Sequence, residues 1–408
     1  MANRIMTIDE QVEYLMQGTE YGDETLKQTM SDELRQRLIE AQKENRPLRI
    51  YCGFDPRTSD LHLGHTVPMR KLRQFQELGH EVTFLVGNYT SLIGDPSDKD
   101  KLRPQLTPEE VAQNGRTYAE QAYKVLEREK TRIRYNAEWL SELSFAELIK
   151  LASNFTIQQF ITRENFKLRW EHGDAIYLHE TFYALMQGFD AYSLHADVQV
   201  GGTDQLFNIV TAARKLMTFL GEKPNIGVIM GILPGTDGEV RMSKSLGNHI
   251  PLLSTPEDMY GKVMSVPDKA MGQFFRLVTR WTPPQIQELE AGMAEGRLHP
   301  RDVKMKLARE IVSVYHSEAA ATQAEQEFVR VFQQGNIPDE MPEFRLQPGQ
   351  TVLDVMILAG LVTSKSDGRR MIEQHAVRLD GQELDNPALP IPHPGVLQVG
   401  KRRYLRIL

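Results

Sequence analysis

The sequence predicts an α/β fold in which a parallel-sheet domain is followed by a helical domain and a small α+β module. Three patterns predict this arrangement. Short apolar strands alternate with helical segments up to about residue 250, helical periodicity continues to residue 332, and mixed helix and strand signals follow a stretch that contains glycine and proline. Strands that alternate with helices at this spacing favour a parallel sheet. A chain of 408 residues is also long enough for two or three domains.

The elements of the first part follow from short apolar runs and the turns that end them. In order, they are a strand at 48–54, a helix that opens near Leu63, a strand at 82–87, a helix at 108–130 and a strand at 131–135. Parallel sheets place ligands beyond the carboxyl ends of their strands. The strings YCGFD at 51–55 and GNYT at 87–90 lie at two such ends, so we expect a binding site there.

The second half of the chain is predicted to be helical and then mixed. Residues 255–332 read as helical, and 302–316 form an amphipathic helix. Residues 336–349 have the composition of a linker. Thr351 and Ser364 then begin two helix N-terminal boxes, and a turn at Asp380 and Gly381 precedes a last strand at 403–408.

Composition limits the class of protein. No apolar run approaches the ~20 residues that a membrane span needs, and the polar N-terminus shows no secretory signal. The one cysteine, Cys52, excludes a disulfide framework and a multi-cysteine zinc site. We therefore expect a cytoplasmic protein. The net charge is −7, yet residues 341–408 hold nine basic against seven acidic residues, an asymmetry expected of a small module that touches phosphate.

Common nucleotide and metal motifs are missing from the sequence. It has no phosphate loop of the GxxxxGK[ST] type, no HExxH and no GxGxxG. A kinase, a zinc hydrolase and a dinucleotide dehydrogenase therefore have no support.

Two histidines stand at a predicted helix start, in the string HLGH at 62–65. A helix N-terminus offers unpaired N–H groups and partial positive charge, both suited to phosphate. His62 and His65 are placed to donate hydrogen bonds as charge moves to a leaving group. Gly64 would leave room for a nucleotide base. The plainer alternative is a pair of surface histidines at a helix cap.

A basic string, RMSKS at 241–245, lies between glycines 235, 238 and 247. Lys244 on such a glycine-hinged loop is able to close over a triphosphate and neutralise charge in the transition state. A flexible basic surface loop is the alternative for this string alone.

The order and spacing of these two strings resemble the HIGH and KMSKS signatures of class I aminoacyl-tRNA synthetases. Arg241 departs from the first position of the second signature. Four further strings narrow the resemblance to bacterial tyrosyl-tRNA synthetases over nearly the whole chain: YCGFDP at 51–56, LIGDPS at 92–97, YALMQGFD at 183–190 and GGTDQ at 201–205. Arg57 and Phe189 stand where that family commonly has other residues.

The resemblance implies an enzyme that activates L-tyrosine with ATP, with Mg²⁺ carried on the nucleotide, and then transfers tyrosine to tRNA(Tyr). It implies that His62, His65 and Lys244 stabilise the transition state. The implied ATP and adenylate contacts are Cys52, Asp55, Gly64, Gly202, Asp204, Met242 and Lys244, with Asp204 on the ribose. The implied tyrosine pocket is Tyr51, Thr90, Asp95, Asn136, Tyr183, Gln187, Asp190 and Gln205.

Part of this pocket also agrees with simple chemistry. A phenolic hydroxyl both donates and accepts, so the Asp190 carboxyl and the Tyr51 hydroxyl suit it. Tyr183, Gln187 and Asp190 are spaced so that one helix presents all three on one face. Asp95, Tyr183 and Gln187 suit an ammonium group. An ordinary polar helix face is the alternative for the triplet.

Residues 364–381, in the last segment of the chain, resemble the S-four-type RNA-binding domain. This resemblance implies contacts with RNA phosphates by Lys365, Arg369, Arg370 and Arg378. His375 replaces the usual glycine at a helix end, which weakens the expectation of a left-handed residue there. A small packing domain is the alternative. The resemblance further implies a homodimer with a Rossmann-like catalytic domain at 1–250, a helical anticodon-region domain at 251–335, a linker at 336–349 and the RNA-binding domain at 350–408.

Three rival functions remain in view. A small-molecule nucleotidyltransferase would not need the tyrosine strings or the last segment. A non-catalytic RNA-binding paralogue would be expected to lose Lys244 or the histidines. A tryptophanyl enzyme is disfavoured by Tyr51, Asp190 and the last segment.

Overall fold

The computed structural model describes residues 6–56, 61–96, 107–332, 341–347, 349–400 and 403–408. The chain divides into two compact units, Met1–Glu325 and Gln326–Leu408. Arg57 and part of the predicted linker at 336–349 lie outside the described residues. The predicted domain boundaries at residues 250, 335 and 349 stay predictions.

A five-stranded parallel sheet forms the centre of the first unit, as the alternation of strands and helices predicts. Its order is β3-β2-β1-β4-β5, with β1 (Arg49–Phe54), β2 (Glu81–Val86), β3 (Thr131–Tyr135), β4 (Val198–Gly202) and β5 (Ile226–Met230). The chain leaves β1 in one direction to β2 and β3, and returns to the other side of β1 with β4. This reversal opens a crevice beyond the carboxyl ends of β1 and β4. Strands β4 and β5 are additions to the predicted elements.

The described α-helices that accompany the sheet up to residue 219 are numbered α1 to α10. They are α1 (Ile8–Met16), α2 (Glu24–Lys43), α3 (Leu63–Glu77), α4 (Pro108–Ala122), α5 (Ala137–Leu140), α6 (Phe145–Ala152), α7 (Ile157–Ile161), α8 (Glu164–His172), α9 (Leu178–Ser193) and α10 (Arg214–Phe219). The predicted helix at 108–130 is wrong in length, because it stops at Ala122. A turn follows, since the Gln76 side chain accepts the Glu127 N–H at 3.1 Å, and a 3₁₀-helix spans Arg128–Lys130.

Further helices fill the predicted helical region. They are α11 (Pro256–Met264), α12 (Met271–Val278), α13 (Pro283–Ala294), α14 (Pro300–Tyr315) and α15 (Glu318–Phe332). Helix α14 confirms the amphipathic helix predicted at 302–316. Its buried Tyr315 hydroxyl lies 2.6 Å from the buried Thr66 hydroxyl of α3, so this region packs on the helix that carries the two histidines. Among the described helices, none combines the length and apolar character needed to cross a bilayer.

The second unit begins within α15, and after this helix its described residues form a mixed five-stranded sheet and two further helices. Its strands are β6 (Glu343–Phe344), β7 (Val377–Leu379), β8 (Gln382–Glu383), β9 (Gly395–Val399) and β10 (Arg403–Ile407), in the order β6-β10-β9-β7-β8. The two further helices are α16 (Val352–Leu358) and α17 (Lys365–Glu373). Valine, leucine and isoleucine side chains of both layers form its core.

Three local predictions for the second unit have clear outcomes. Thr351 forms a full capping box with Asp354, whereas Ser364 accepts only the Asp367 N–H. The turn at Asp380 and Gly381 has left-handed φ values of 47° and 82°. His375 is also left-handed, with φ 55°, although it is not glycine. Its ring pairs with the Glu383 side chain, a contact that helps to hold this conformation.

Candidate functional site

A cleft of about 580 Å³ opens at the carboxyl ends of the strands of the first unit. Every residue that the sequence assigns to catalysis, nucleotide or tyrosine lines it. These are Tyr51, Cys52, Asp55, His62, Gly64, His65, Thr90, Asp95, Asn136, Tyr183, Gln187, Asp190, Gly202, Asp204, Gln205, Met242 and Lys244. Their placement in one cleft is an observation, whereas their individual roles stay predictions.

The two histidines cap the N-terminus of α3. The His62 Nδ1 accepts the Gly64 N–H at 3.2 Å, and the His65 Nδ1 accepts the His62 N–H at 3.2 Å. Their rings lie 3.9 Å apart between centroids. A Cβ at residue 64 would lie 3.0 Å from the His62 ring, so glycine lets this ring fold back over the helix end.

This capping fixes the hydrogen-bonding character of both rings. Burial, aided by the charges of neighbouring groups, lowers the pKa of His62 to about 3. Burial also lowers the pKa of His65 to about 4. Both rings are therefore neutral near pH 7. Because Nδ1 is the acceptor in each ring, the proton sits on Nε2, which makes each Nε2–H a donor.

The basic string lies on a loop that Asn248 holds together. Its buried side chain accepts the Ser243 N–H at 2.8 Å and donates to the Asp237 carboxylate at 2.5 Å and the Arg241 carbonyl at 3.1 Å. Met242 is buried against the cleft, whereas Lys244 is exposed and lines it. His62 and Lys244 therefore face the same cleft, and the charge of Lys244 contributes to lowering the pKa of His62.

Asp190 lies at the buried end of the cleft. It accepts hydrogen bonds from the Trp139 indole at 2.7 Å and the Asn136 amide at 3.2 Å. Burial nevertheless raises the pKa of Asp190 to about 8. The Tyr51 hydroxyl donates to the Gln187 carbonyl at 3.4 Å. Burial and then the charge of Asp190 raise the pKa of Tyr51, so the two predicted phenol partners share this end.

A second polar group lies between β1, β2 and α9. Asp55 accepts the Thr90 hydroxyl at 2.8 Å and the Tyr183 hydroxyl at 3.1 Å. A Cβ at Gly87 would lie 2.2 Å from the Asp55 carboxylate, so glycine is required where the chain leaves β2. Asn136 donates to the Thr90 hydroxyl at 3.1 Å and thereby joins this group to Asp190.

The remaining predicted residues stand beside β4. Gln205 donates to Asp95 at 2.5 Å and to Asp204 at 3.1 Å. A Cβ at Gly202 would lie 2.6 Å from the Asp204 carboxylate. Cys52 is buried in β1 at the wall of the cleft, and burial raises the pKa of its thiol.

Three residues around the cleft are absent from the predicted set. Trp139 follows Asn136 by one helical turn and bonds to Asp190. Asn208 bonds to Gln187 and Gln205. Arg163 stacks over the rings of Phe166 and Phe207, and the charge of Asp95 partly offsets the lowering of its pKa by burial. A hydrogen-bonding side chain three positions after a predicted site residue was an available signal for Trp139 and Asn208.

The predicted RNA-binding residues are exposed in the second unit. Lys365, Arg369 and Arg370 lie on α17, and Arg378 lies on β7. Arg370 is paired with Asp367 at 2.6 Å within its own helix. The structure thus presents these cations to solvent.

Comparisons with known proteins agree with the geometry of the cleft. A family model described as tRNA synthetases class I (W and Y) matches residues 42–333. The tyrosine–tRNA ligase of Moorella thermoacetica is 45% identical over 379 residues, which cover 92% of this chain and 92% of that protein. Tyrosine–tRNA ligase 2 of Vibrio cholerae is 46% identical over 371 residues, which cover 91% of this chain and 93% of that protein.

Solved structures are similar in fold. A C-terminally truncated mitochondrial tyrosyl-tRNA synthetase of Aspergillus nidulans matches with a TM-score of 0.63 and 24% identity, covering 81% of this chain and 95% of that chain. The Archaeoglobus fulgidus tyrosyl-tRNA synthetase, solved with L-tyrosine, matches with a TM-score of 0.60 and 22% identity, covering 78% of this chain and 100% of that chain. At these identities the structural matches concern the fold alone.

Proposed function

The chain belongs to the class I tRNA synthetases of the tryptophan and tyrosine type, among the bacterial tyrosine–tRNA ligases, and from this premise we propose how its cleft activates L-tyrosine with ATP and charges tRNA(Tyr). One observation carries the proposal. Asp190 and Tyr51 are buried in the same cleft that His62, His65 and Lys244 line, an arrangement that suits a phenol beside a triphosphate.

The pocket selects tyrosine by its hydroxyl. The buried Asp190 carboxyl already accepts from Trp139 and Asn136, and the substrate phenol completes its set of partners. A phenylalanine ring would leave the groups built for that hydroxyl unpaired, and such a loss discriminates strongly between analogues. The ammonium group of the substrate is assigned to Asp95, Tyr183 and Gln187.

Activation needs no covalent enzyme intermediate. An oxygen of the tyrosine carboxylate forms a bond to the α-phosphorus of ATP, and the bond from that phosphorus to the bridging oxygen of pyrophosphate breaks. Negative charge moves to the leaving pyrophosphate, where the Nε2–H donors of His62 and His65 and the ammonium of Lys244 stabilise it. A hydroxyl of the terminal tRNA ribose then attacks the tyrosyl carbonyl and AMP leaves.

Magnesium is proposed to enter with the nucleotide. The described residues contain no group of three histidine, cysteine, aspartate or glutamate side chains able to hold a metal, and Mg²⁺ commonly binds through substrate phosphates with few protein ligands. Bound there, it would neutralise charge on the phosphates. Lys244 and the two histidines supply the protein's share of that charge stabilisation.

The test is ATP–pyrophosphate exchange with each amino acid in turn. We expect exchange with tyrosine and none with phenylalanine or tryptophan above background. Exchange with tryptophan would overturn the choice of substrate, and no exchange with any amino acid would favour a non-catalytic paralogue. Exchange with tyrosine but no charging of tRNA would leave activation intact and overturn the second step.

The second unit is proposed to bind tRNA through α17 and β7. Lys365, Arg369, Arg370 and Arg378 are exposed, and exposed cations on one small module suit RNA phosphates. The helices at 251–335 are proposed to contact the anticodon region, as the resemblance implies. A cytoplasmic location follows from this function, because ATP and tRNA are both available there.

We also propose a homodimer. Consecutive helices of the first unit expose large apolar side chains that their own core leaves uncovered: Phe145 at 77%, Ile149 at 56%, Ile157 at 57%, Trp170 at 65% and Leu178 at 66%. Phe145 and Ile149 share one face of α6 because they are four residues apart. Such apolar surface on a monomer commonly marks a protein interface, and a second copy of the chain is its proposed occupant.

A further inference from the structure

Asn208 lies behind the cleft on an irregular turn of helix. After β4, a 3₁₀-turn at Thr203–Gln205 leads into a π-helical segment, Phe207–Ala213, which continues as α10. Single π-turns within helices are rare and frequently lie at functional sites. Asn208 is fully buried on this segment and does not itself line the cleft.

A close helix contact brings Asn208 to the pocket. The π-helical segment packs against α9 beside Gly188, where a Cβ would lie 2.7 Å from Leu216 and 3.3 Å from the Cα of Ala213. Glycine at this position therefore lets the two backbones approach. Gln187, the residue before it, is then within reach of the Asn208 side chain.

The Asn208 amide nitrogen makes two hydrogen bonds, one to each glutamine of the pocket. It donates to the Gln187 Oε1 at 2.9 Å and to the Gln205 Oε1 at 3.1 Å. An amide NH₂ has two N–H donors, so both are used here. Gln205 in turn donates its own NH₂ to Asp95 at 2.5 Å and to Asp204 at 3.1 Å.

The hydrogen bonds fix the direction of this chain of amides. Because Gln205 donates its NH₂ to Asp95 and Asp204, its Oε1 is turned towards Asn208. That oxygen requires a donor, so Asn208 must present its NH₂, whose second N–H then meets the Oε1 of Gln187. The hydrogen bonds from Asp95 through the amides of Gln205 and Asn208 thus fix the orientation of the Gln187 amide.

We propose that Asn208 is a positioning residue for the substrate ammonium group, an inference that rests on the proposed function. It holds Gln205 against Asp95 and holds the carbonyl oxygen of Gln187 in place, with one lone pair of that oxygen left for the ammonium. Asn208 itself touches no substrate. Its effect is on affinity for the charged amino group and not on the phenol or on ATP.

The test removes the donors of Asn208 and keeps its size. In Asn208→Leu and Asn208→Asp, we expect the KM for tyrosine in ATP–pyrophosphate exchange to rise about ten-fold or more, the size of effect of one or two buried hydrogen bonds. The KM for ATP stays within about two-fold. Asn225→Asp is the matched control, because Asn225 is equally buried and donates to Gln199 at 3.3 Å, away from the cleft.

Two substrate analogues separate positioning from a general loss of structure. Tyramine carries the ammonium without the carboxylate, and 3-(4-hydroxyphenyl)propionate carries the carboxylate without the ammonium. By calorimetry, both Asn208 variants should lose affinity for tyramine about ten-fold and bind the propionate as the parent chain does. Equal losses for both analogues, or none for tyramine, would overturn the inference. A parent chain that exchanges with no amino acid would instead overturn the proposed function.

Discussion

The burial of Asp190, the residue proposed to select the substrate, costs folding free energy. Its carboxyl is buried with two donors, Trp139 and Asn136, and these do not offset the loss of water, so its pKa rises to about 8. A charged group kept in such a place reduces the stability of the folded chain above the pKa that it has when unfolded. A buried carboxyl with a raised pKa in a cleft is typical of a functional site, so this cost supports the proposed role in binding.

Replacing Asp190 by asparagine should reduce tyrosine activation. The substrate hydroxyl loses its carboxyl partner, and a buried polar group left without a suitable partner costs about 1–3 kcal/mol, equivalent to roughly 5- to 150-fold in kcat/KM. ATP–pyrophosphate exchange measures this loss. Normal activation of tyrosine by Asp190→Asn would show that the phenol binds elsewhere.

The same substitution should change how stability depends on pH. Between pH 4 and 8, Asp190 keeps its proton in the folded chain and loses it on unfolding, so the free energy of unfolding falls as pH rises. The fall is at most about 1.4 kcal/mol per pH unit. Asparagine does not titrate. Thermal unfolding measured from pH 5 to 8 should therefore show that the stability of the variant relative to the parent increases with pH. A stability difference that stays constant would contradict the raised pKa.

At the level of single residues, the sequence predicts which side chains line the cleft. It does not predict the neighbouring side chains that hydrogen-bond to them. Tyr183, Gln187 and Asp190 lie on one face of α9, as their spacing predicts, and all line the cleft. Trp139 and Asn208 were missed, because a residue that bonds to a site residue and not to a ligand has no motif of its own. Their position three residues after Asn136 and Gln205 makes them candidates, but which side chains they bond to follows only from the packing of separate segments.

Among the elements, α3 keeps the two histidines at its N-terminus neutral. Both histidines accept backbone N–H groups at Nδ1, and this is compatible only with neutral rings. Lowering of the pKa of His62 to about 3 and of His65 to about 4 leads to the same state. As pH falls from 6.5 towards these values, protons bind preferentially to the unfolded chain, so the stability that the neutral rings allow is lost in acid.

We therefore expect activity to depend on the donors of α3 and not on their charge. His62→Gln and His65→Gln should each lower exchange by a factor that stays constant from pH 5.5 to 8, since neither ring titrates in that range. Exchange measured at half-unit steps of pH tests this. A ratio of parent to variant that inflects near pH 6.5 would show that a charged imidazole takes part.

The loop at 235–248 should act in the transition state. Lys244→Met is expected to lower the exchange rate constant about 10²- to 10³-fold, the usual effect of removing one preorganised charge partner, and to leave the KM for tyrosine within about two-fold. Lys262→Met is the matched control, because Lys262 is paired with Asp258 at 2.6 Å outside the main cleft. Equal losses in rate and in tyrosine affinity would contradict the role.

The predicted elements are correct where one local pattern dominates. Strands β1, β2 and β3 agree with their predicted positions to within one or two residues, because apolar runs and turn residues mark them. Strands β4 and β5 were missed. Two glycines end β4 and one glycine interrupts the apolar run of β5, and glycine weakens the pattern of a strand. The helix from Pro108 ended early because its continuation bonds to Gln76, a partner that local sequence does not reveal.

For the molecule as a whole, the boundary that the sequence pattern indicates differs from the end of the first compact unit. The pattern changes at about residue 250 because the type of secondary structure changes there. The first compact unit nevertheless extends to Glu325, because helices such as α14 pack on α3. The contact between Thr66 and Tyr315 joins residues 249 positions apart, a pairing that periodicity alone does not predict.

Apolar exposure on α6 to α9 should make the protein a dimer in solution. Phe145→Glu combined with Trp170→Glu places two charges on the apolar surface and is expected to shift the sedimenting species from dimer to monomer at micromolar concentration. Leu358→Glu is the control, since it alters an equally exposed apolar side chain, at 63%, in the second unit. A parent chain that sediments as a monomer would remove the proposed dimer.

The division into two units predicts that activation and tRNA binding can be separated by mutation. Glutamine at Lys365, Arg369, Arg370 and Arg378 removes four exposed cations from the second unit and touches nothing in the cleft. We expect ATP–pyrophosphate exchange to be unchanged and the KM for tRNA(Tyr) to rise. The dependence of log KM on log salt should weaken by about 0.7–0.9 for each phosphate that the protein no longer neutralises.

A matched loss of charge from the first unit distinguishes a specific contact from general attraction. Glutamine at exposed Lys43, Lys130, Arg132 and Lys223 removes the same charge from the sheet-bearing unit. If net charge alone attracted tRNA, both sets of substitutions would raise its KM equally and weaken the salt dependence equally. If α17 and β7 bind the phosphates, only the substitutions in the second unit raise the KM for tRNA and weaken its salt dependence. Phosphate contacts are local, and counterions are released only where cations touch the RNA backbone.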